Sequence, residues 1–529
     1  MRKQIYIIGG GVSGLVSACY LKKKGYDVTI IEKNNVSGGR LFEFKEEGFH
    51  FNNGPSWYWM KDIFEEVFLD IGISKQEMYW LIKLDPQYKI VFPDKDMIIP
   101  GEYSEIRKLF PINERSKLDS FVKESKNKYQ ISRKYFLRYK NLSIFEYFNW
   151  ETLFNIFSFN FHLSYRDYCK KFTDNKYLQT LLEWPALFIG SSPKSVSAMY
   201  SILSYSMLAE GTYLPAKGMI EIVNLLENHS KKLGVNIKLN ESLIDYKIKN
   251  NKIINIITDK NIYQDIEDII CSCDYNFNES LLPDNYKTYP NKYWQKLELC
   301  PSCILIHLGL NKKLPTKDFH VLFFDNNLDH HLNCIYDQKK LPSEPLFYLN
   351  ISSKLSLTAP YDCENLFILI PTGPGMIINQ KDIEEAYKYV INKLETYYKI
   401  KLKDNIIKKK IFKNQDFSSR FNAYQSNAYG LTCHPLQTAF LKPRIMSRYI
   451  NNLYYCGQLT NPGPGLPPCL LSGIVTSKYL IQNKGQSNRF KIGESLTLIL
   501  SIFIRTFSFF TTLKVFIKEI LYIFFNYLI

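Results

Sequence analysis

This sequence predicts an α/β fold, a parallel sheet built on a dinucleotide-binding βαβ unit, and three observations carry that prediction. An apolar run at residues 5–8 leads directly into the glycine-rich turn Gly9-Gly10-Gly11-Val12-Ser13-Gly14. A stretch with apolar residues at helical spacing comes next, then a second apolar strand ending in an acid. Close to the other end, residues 452–456 repeat the pattern of a buried strand running into a glycine-rich turn.

Residues 5–8 are short and wholly apolar, which suits a strand covered on both faces. In the G-x-G-x-x-G turn each glycine has a task. Gly9 permits the tight turn, Gly11 lets the backbone approach a pyrophosphate, and Gly14 allows close packing of helix on strand, with Ser13 in the same turn. Residues 15–24 read as a helix closed by Gly25, and its N-terminus offers free N–H groups to an anion. Residues 28–31 form the second strand, and Glu32 at its end can accept hydrogen bonds from a ribose. A purely structural glycine turn is the plain alternative. Strand, helix and acid in this order favour a nucleotide, NAD or FAD alike at this point.

Downstream come Ser37-Gly38-Gly39-Arg40 and Gly48-Phe-His-Phe-Asn52-Asn53-Gly54-Pro55-Ser56. Residues 218–233 alternate with helical period, 234–239 read as a strand, and 247–261 as a polar hairpin. Residues 452–456 run into Gly457-Gln458-Leu-Thr-Asn461-Pro-Gly463-Pro-Gly465-Leu466-Pro467-Pro468. The paired prolines suit a first helical turn, where a missing N–H costs nothing. The helix expected over 470–480 would aim partial positive charge at whatever lies over Gly465 and Leu466.

These segments resemble a known family. The double glycine before Arg40 is similar to the second signature of FAD proteins of the amine-oxidase and carotenoid-desaturase superfamily, which implies that Gly38 and Gly39 pass close to the cofactor and Arg40 reaches its phosphates. Residues 457–473, and Asn53-Gly54-Pro55-Ser56-Trp57, resemble the two flavin motifs of the phytoene desaturase family of bacterial carotenoid enzymes, which includes dehydrosqualene desaturases and carotenoid oxidases. Trp184-Pro-Ala-Leu-Phe188, Ala198-Met-Tyr200, Lys217-Gly218-Met219 and Asp274-Tyr275 fall in step, so the resemblance covers about residues 4–485. Asn52, where many relatives carry Asp, and Asn461, where several carry His, depart from it.

The resemblance implies a Rossmann-type FAD-binding domain (1–65, 212–285 and 436–486) interleaved with a mixed α+β substrate-binding domain (66–211 and 286–435). Besides the glycine turn, Glu32 and Arg40, it places Gly54, Pro55, Ser56, Gly457, Gln458, Gly465 and Leu466 at the cofactor, and has Leu243 contact the adenine through its backbone. The implied reaction is desaturation of a long acyclic carotenoid precursor, phytoene first, with hydride passing to FAD and electrons onward to quinone or oxygen. Isomerases, saturases and oxidases of polyenes share the framework, and a non-catalytic membrane-bound flavoprotein is a further alternative. The sequence nominates no proton-accepting catalytic residue and no metal ligands.

The chain of 529 residues carries 67 Lys+Arg against 51 Asp+Glu, a formal charge of +16, with 38 Tyr, 36 Phe and 6 Trp. Its apolar and charged fractions are those of a globular chain, which excludes disordered and collagen-like classes. Eleven scattered cysteines and a start that runs straight into a strand point to a reducing compartment. Cys300-Pro-Ser-Cys303 has no second pair to complete a zinc site. The charge suggests nucleic acid or an anionic membrane, and no nucleic-acid motif accompanies it. Residues 487–529 form a hydrophobic, helix-patterned tail broken by Arg505, Lys514, Lys518 and Glu519, expected to lie on a membrane rather than span it. The aromatics Tyr129, Tyr135, Phe136, Tyr139, Phe145, Tyr147, Phe148 and Trp150 read for the most part as core when taken one by one, and collectively they suit a long apolar substrate tunnel. Together these readings put the protein at the cytoplasmic face of a membrane, held peripherally or by its tail.

Overall fold

The computed structural model describes residues 4–483 apart from 148–155, 162, 190–191, 325–326 and 435–436. The expected tail, Phe148 and Trp150 therefore lie outside the described residues.

The fold is mixed α/β. Strand β1 (Gln4–Ile8), helix α1 (Val12–Lys23) and strand β2 (Asp27–Ile31) form the βαβ unit, with β1 and β2 parallel. Three later segments complete a five-stranded parallel sheet in the order Leu453–Tyr455, Asp268–Cys271, β1, β2, Asn236–Lys238. Its central strands are buried on both faces, which is why they read as continuous apolar runs.

Helix α1 is buried from Val12 to Leu21, so it has no polar face. It packs between the helices Ile220–Lys232 and Leu466–Asn483. The second contact is close enough that a Cβ on Gly473 would stand 2.5 Å from the Ser13 carbonyl oxygen. The helix expected over 470–480 thus begins earlier, at Leu466, and takes both prolines into its first turn. The helix Lys61–Ile71 packs on the same pair, so the segment running past residue 65 stays with the parallel sheet. The polar hairpin is longer than its sequence pattern. Leu243–Lys249 pairs with Lys252–Thr258 across Asn250 and Asn251, both at positive φ, the conformation a two-residue hairpin turn requires.

The other half is built on a seven-stranded, largely antiparallel sheet. Its order is Ile406–Phe412, Ser302–Leu310, Glu364–Thr372, Phe347–Ile351, His320–Phe323, Tyr88–Val91, Asp96–Ile99. Strand periodicity sorts its side chains. Ile304, Ile306, Ile368 and Leu349 pack under the helix Gln380–Tyr398, which buries Ile383, Ala386, Val390, Ile391 and Leu394 against them. The alternate residues Leu305, Leu369, Tyr348 and Leu322 stand opposite one another in register and face the parallel-sheet half. No helix among the described residues is long and apolar enough to cross a membrane.

Candidate functional site

A single cavity of about 680 Å³ runs between the two halves, from β1 and β2 to the row of alternate side chains on the seven-stranded sheet. At one end it is a polar cradle. Gly11 occupies the N-cap of α1 with no side-chain cap, the first intrahelical bond is Leu15 N–H to the Gly11 carbonyl at 2.9 Å, and no acid lies in the first turn. The N–H groups of the first turn are thus left to an external acceptor. Two glycines of the turn differ in kind. A Cβ on Gly14 would sit 2.2 Å from the Gly9 carbonyl oxygen, whereas one on Gly11 would meet nothing nearer than Gly39 Cα at 4.0 Å. The protein's own packing therefore requires Gly14, while Gly11 keeps open space over a helix N-terminus.

Glu32 ends β2 as a buried carboxylate that accepts from Gly10 N–H at 2.7 Å and from Asn34 N–H and Nδ2 at 2.8 and 2.7 Å. Gly38 docks on the turn through its N–H to the Gly10 carbonyl at 2.8 Å. Arg40 follows, with Nη2 donating to the Asn427 carbonyl at 3.3 Å and Nε buried without a partner among the described residues. Burial pushes its pKa down, and Asp274 beside it opposes that shift. Asp274 in turn is raised by burial, which Arg40 counters. A buried guanidinium with an orphan N–H, facing free helix N–H groups across a glycine gap, is a donor set for the diphosphate of a dinucleotide. Ser242, Leu243 and Glu241 line the end beyond Glu32, where a base would lie.

Further along, Gly54, Pro55 and Ser56 form one wall, and Gly457, Gln458, Gly465 and Leu466 the opposite one. The second wall is tied to its helix, since Gly457 N–H donates to Ser472 Oγ at 2.9 Å and Ser472 Oγ to the Asn461 carbonyl at 2.6 Å. All sixteen residues expected at the cofactor gather here, Gly14 by packing under the turn and the others on the cavity. Of the two departures, Asn52 Nδ2 caps the Pro55 carbonyl at 3.1 Å. Asn461 is fully buried, with Oδ1 accepting from Asn141 Nδ2 at 2.8 Å and Nδ2 unpartnered.

Beyond these walls the lining turns apolar, with Trp57, Trp59 and Trp184 facing Leu305, Tyr348 and Leu369. The aromatics expected collectively at the tunnel divide, as far as their side chains are described, which leaves out Phe145, Phe148 and Trp150. Phe136 and Tyr147 reach the cavity, but Tyr129 is core, its hydroxyl donating to Asp62 at 2.5 Å, and Tyr135 and Tyr139 are not on the lining. The reason is local: the helix Arg115–Ile131 turns Leu118, Phe121 and Tyr129 inward against its neighbours. The residues that do line it come from segments scattered along the chain, Trp57, Trp59 and Trp184 outside the strands and Leu305, Tyr348 and Leu369 on strands buried on both faces, whose continuous apolar runs do not show which side chains meet the cavity. Cys300 and Cys303 are buried free thiols, both pushed up by burial.

A nucleotide cradle opening into an apolar cavity defines a class of flavin-dependent oxidoreductases, and comparison with known proteins agrees. The model of the family described as flavin containing amine oxidoreductase matches residues 12–481, and the chain belongs to that family as an FAD-dependent oxidoreductase. It is 30% identical over 492 residues to a carotenoid 3,4-desaturase of Haloarcula japonica, covering 91% of this chain and 98% of that one. It is 27% identical over 499 residues to a 4,4'-diapophytoene desaturase (4,4'-diaponeurosporene-forming) of Staphylococcus haemolyticus, covering 90% and 99%. Among solved structures, an oxidoreductase from Methanosarcina mazei superposes with TM-score 0.60 at 14% identity, over 90% of this chain and all of that one. Putrescine oxidase superposes with TM-score 0.61 at 13% identity, over 91% and 100%. These structural likenesses speak to the fold.

Proposed function

We propose that this protein is an FAD-dependent desaturase of a long acyclic carotenoid precursor, phytoene being the first candidate. The observation that carries the reading is the continuity of one cavity, polar at the helix N-terminus and lined by tryptophans, leucines and Tyr348 beyond Ser56. The names of the full-length relatives, a carotenoid 3,4-desaturase and a diapophytoene desaturase, support it.

In this reading the parallel-sheet side (about 1–65, 212–285 and 436–486) holds the cofactor and the remainder holds the polyene. Gly9, Gly11, Ser13 and Gly14 with the N-terminus of α1 hold the diphosphate, joined by Gly38, Gly39 and Arg40. Glu32 keeps oxygen lone pairs free for a ribose, and Leu243 abuts the base. Gly54, Pro55, Ser56, Gly457, Gln458, Gly465 and Leu466 flank the flavin ring. When bound, FAD supplies the redox step, accepting hydride from an allylic C–H bond. The protein orients the chain and excludes water: a rigid aromatic wall does both at low entropic cost. Electrons then leave to quinone or oxygen, and the excess of Lys and Arg holds the protein to the cytoplasmic face of an anionic membrane from which the substrate enters. Coexpression with a phytoene-producing pathway tests the reading. A coloured, more conjugated product is expected; unchanged phytoene, and unchanged 4,4'-diapophytoene in a parallel strain, would overturn it.

A further inference from the structure

We propose that Ser56, Tyr348 and His320 form a proton relay leading from the cavity into the seven-stranded sheet, and that it takes up the proton released by desaturation. The proposal rests on the desaturase reading above.

Beside the cavity-facing row, two residues along each strand and on the same face of the sheet, lies a second row in register, His307, Phe367, Asn350 and His320, all buried and with Phe367 also on the cavity lining. A hydrogen-bonded chain joins the rows. Ser56 Oγ is 2.8 Å from the Tyr348 hydroxyl, which is 2.6 Å from His320 Nδ1. Ser56 and Tyr348 line the cavity, while His320 is 1% exposed and stacked flat on Trp57, ring centroids 4.0 Å apart.

Asn350 fixes the direction of the chain. Its Nδ2 donates to the Phe319 carbonyl at 3.0 Å, which orients the amide, and the same nitrogen faces His320 Nδ1 at 3.3 Å. Beside a donor-only Nδ2 the favoured tautomer carries the imidazole proton on Nε2 and has Nδ1 as acceptor, its single lone pair taken by the closer Tyr348 hydroxyl. With its only hydrogen engaged there, the Tyr348 oxygen accepts from Ser56. Every donor in the chain points away from the cavity, and the Ser56 lone pairs are left toward it. His320 Nε2 has no partner among the described residues, an arrangement that a purely structural histidine would avoid.

The chemistry suits a weak acceptor. Once a carbon has given up hydride, the adjoining C–H of the allylic cation is a strong acid, so little basicity is needed. This matters because burial holds His320 well below the usual imidazole range. The C–H electron pair becomes the second bond of the new double bond. Its proton passes to Ser56 Oγ as the Ser56 hydrogen moves to Tyr348 and that of Tyr348 to His320 Nδ1, leaving an imidazolium. The electron pair lost by the substrate departs with the hydride, and the relay carries only the proton. Other acid–base groups on the lining are placed differently, the Lys442 amine being engaged as a donor to the Pro462 carbonyl. Glu32, Glu241 and Asp274 belong to the nucleotide end. His331 has both nitrogens engaged, Nε2 with the Pro371 carbonyl at 3.2 Å and Nδ1 with Leu346 N–H at 3.0 Å.

Nitrogen NMR of the full, flavin-loaded chain with labelled histidine reads the relay without turnover. His320, assigned by loss of its signals in His320→Gln, is expected as the Nε2–H tautomer, and Tyr348→Phe should shift Nδ1 toward the free value. In the same variant phytoene turnover should fall about 100-fold at unchanged flavin content, and Ser56→Ala should do the same by a smaller change. An Nδ1–H tautomer, or wild-type turnover by flavin-loaded Tyr348→Phe, would overturn the relay. A wild-type protein converting no polyene would instead overturn the desaturase reading and the relay's role with it.

Discussion

The two ends of the cavity are built in opposite ways. The nucleotide cradle is made mostly of backbone, with helix N–H groups and glycines at fixed spacing, joined by two charged side chains, Glu32 and Arg40, that follow the same βαβ unit. The apolar end is made of side chains drawn from distant strands, Leu305, Leu369, Tyr348 and Leu322 meeting only through sheet register. A backbone site tolerates many side chains but few added atoms; a side-chain site tolerates volume-conserving exchange but depends on every strand being in register.

The largest expected effect separates two glycines of one turn. Gly14→Val drives a side chain into the Gly9 carbonyl oxygen, so it should cost at least the ~1–3 kcal/mol typical of overpacking and leave little folded protein, read as soluble yield and Tm. Comparable loss in Gly11→Val would erase the distinction between packing and binding glycines.

Titration contrasts the halves next. Burial raises Glu279, under the parallel sheet, to about 7. The unfolded chain releases that proton near the ordinary 4.5, so between these values the native state holds more protons and stability falls as pH rises, by roughly 3 kcal/mol in all. Glu279→Gln should flatten that slope in Tm against pH. His307, in the seven-stranded sheet, is held down to about 3 by burial. There the unfolded chain gains a proton below about 6.5, so stability falls as pH drops, and His307→Gln should flatten the acid side instead.

A smaller effect belongs to Gly11→Val itself. It should keep the apoprotein's Tm and lower flavin affinity about tenfold, near 1.4 kcal/mol, measured by flavin absorbance after gel filtration. Smallest is Asp274→Asn, which removes the charge balancing Arg40 and keeps the Phe277 N–H bond at 3.2 Å while giving up the one from Tyr424 N–H. A few-fold weaker flavin retention with unchanged yield is expected; unaltered retention would show that Arg40 needs no partner.

The same contrast explains what was legible in the sequence. Gly9 to Gly14 and Glu32 act through local geometry, so their spacing announces them, whereas Arg40 and Gly457 to Leu466 were legible through the family resemblance. The polar hairpin read over 247–261 was likewise legible, though not its start at Leu243. Tyr348, His320 and Asn350 act through register between strands far apart in the chain, and nothing local marks them as neighbours. The aromatic run from Tyr129 to Tyr147 announces apolar surroundings but not which rings meet the cavity, since facing rather than composition sends Tyr129 to the core and Phe136 and Tyr147 to the lining.

The joint use of one cavity by cofactor and polyene is tested most directly by anaerobic mixing of the flavin-loaded protein with phytoene in liposomes. Loss of oxidised-flavin absorbance should coincide in rate with the appearance of a longer conjugated polyene. Flavin that stays oxidised with phytoene and with 4,4'-diapophytoene alike would contradict it.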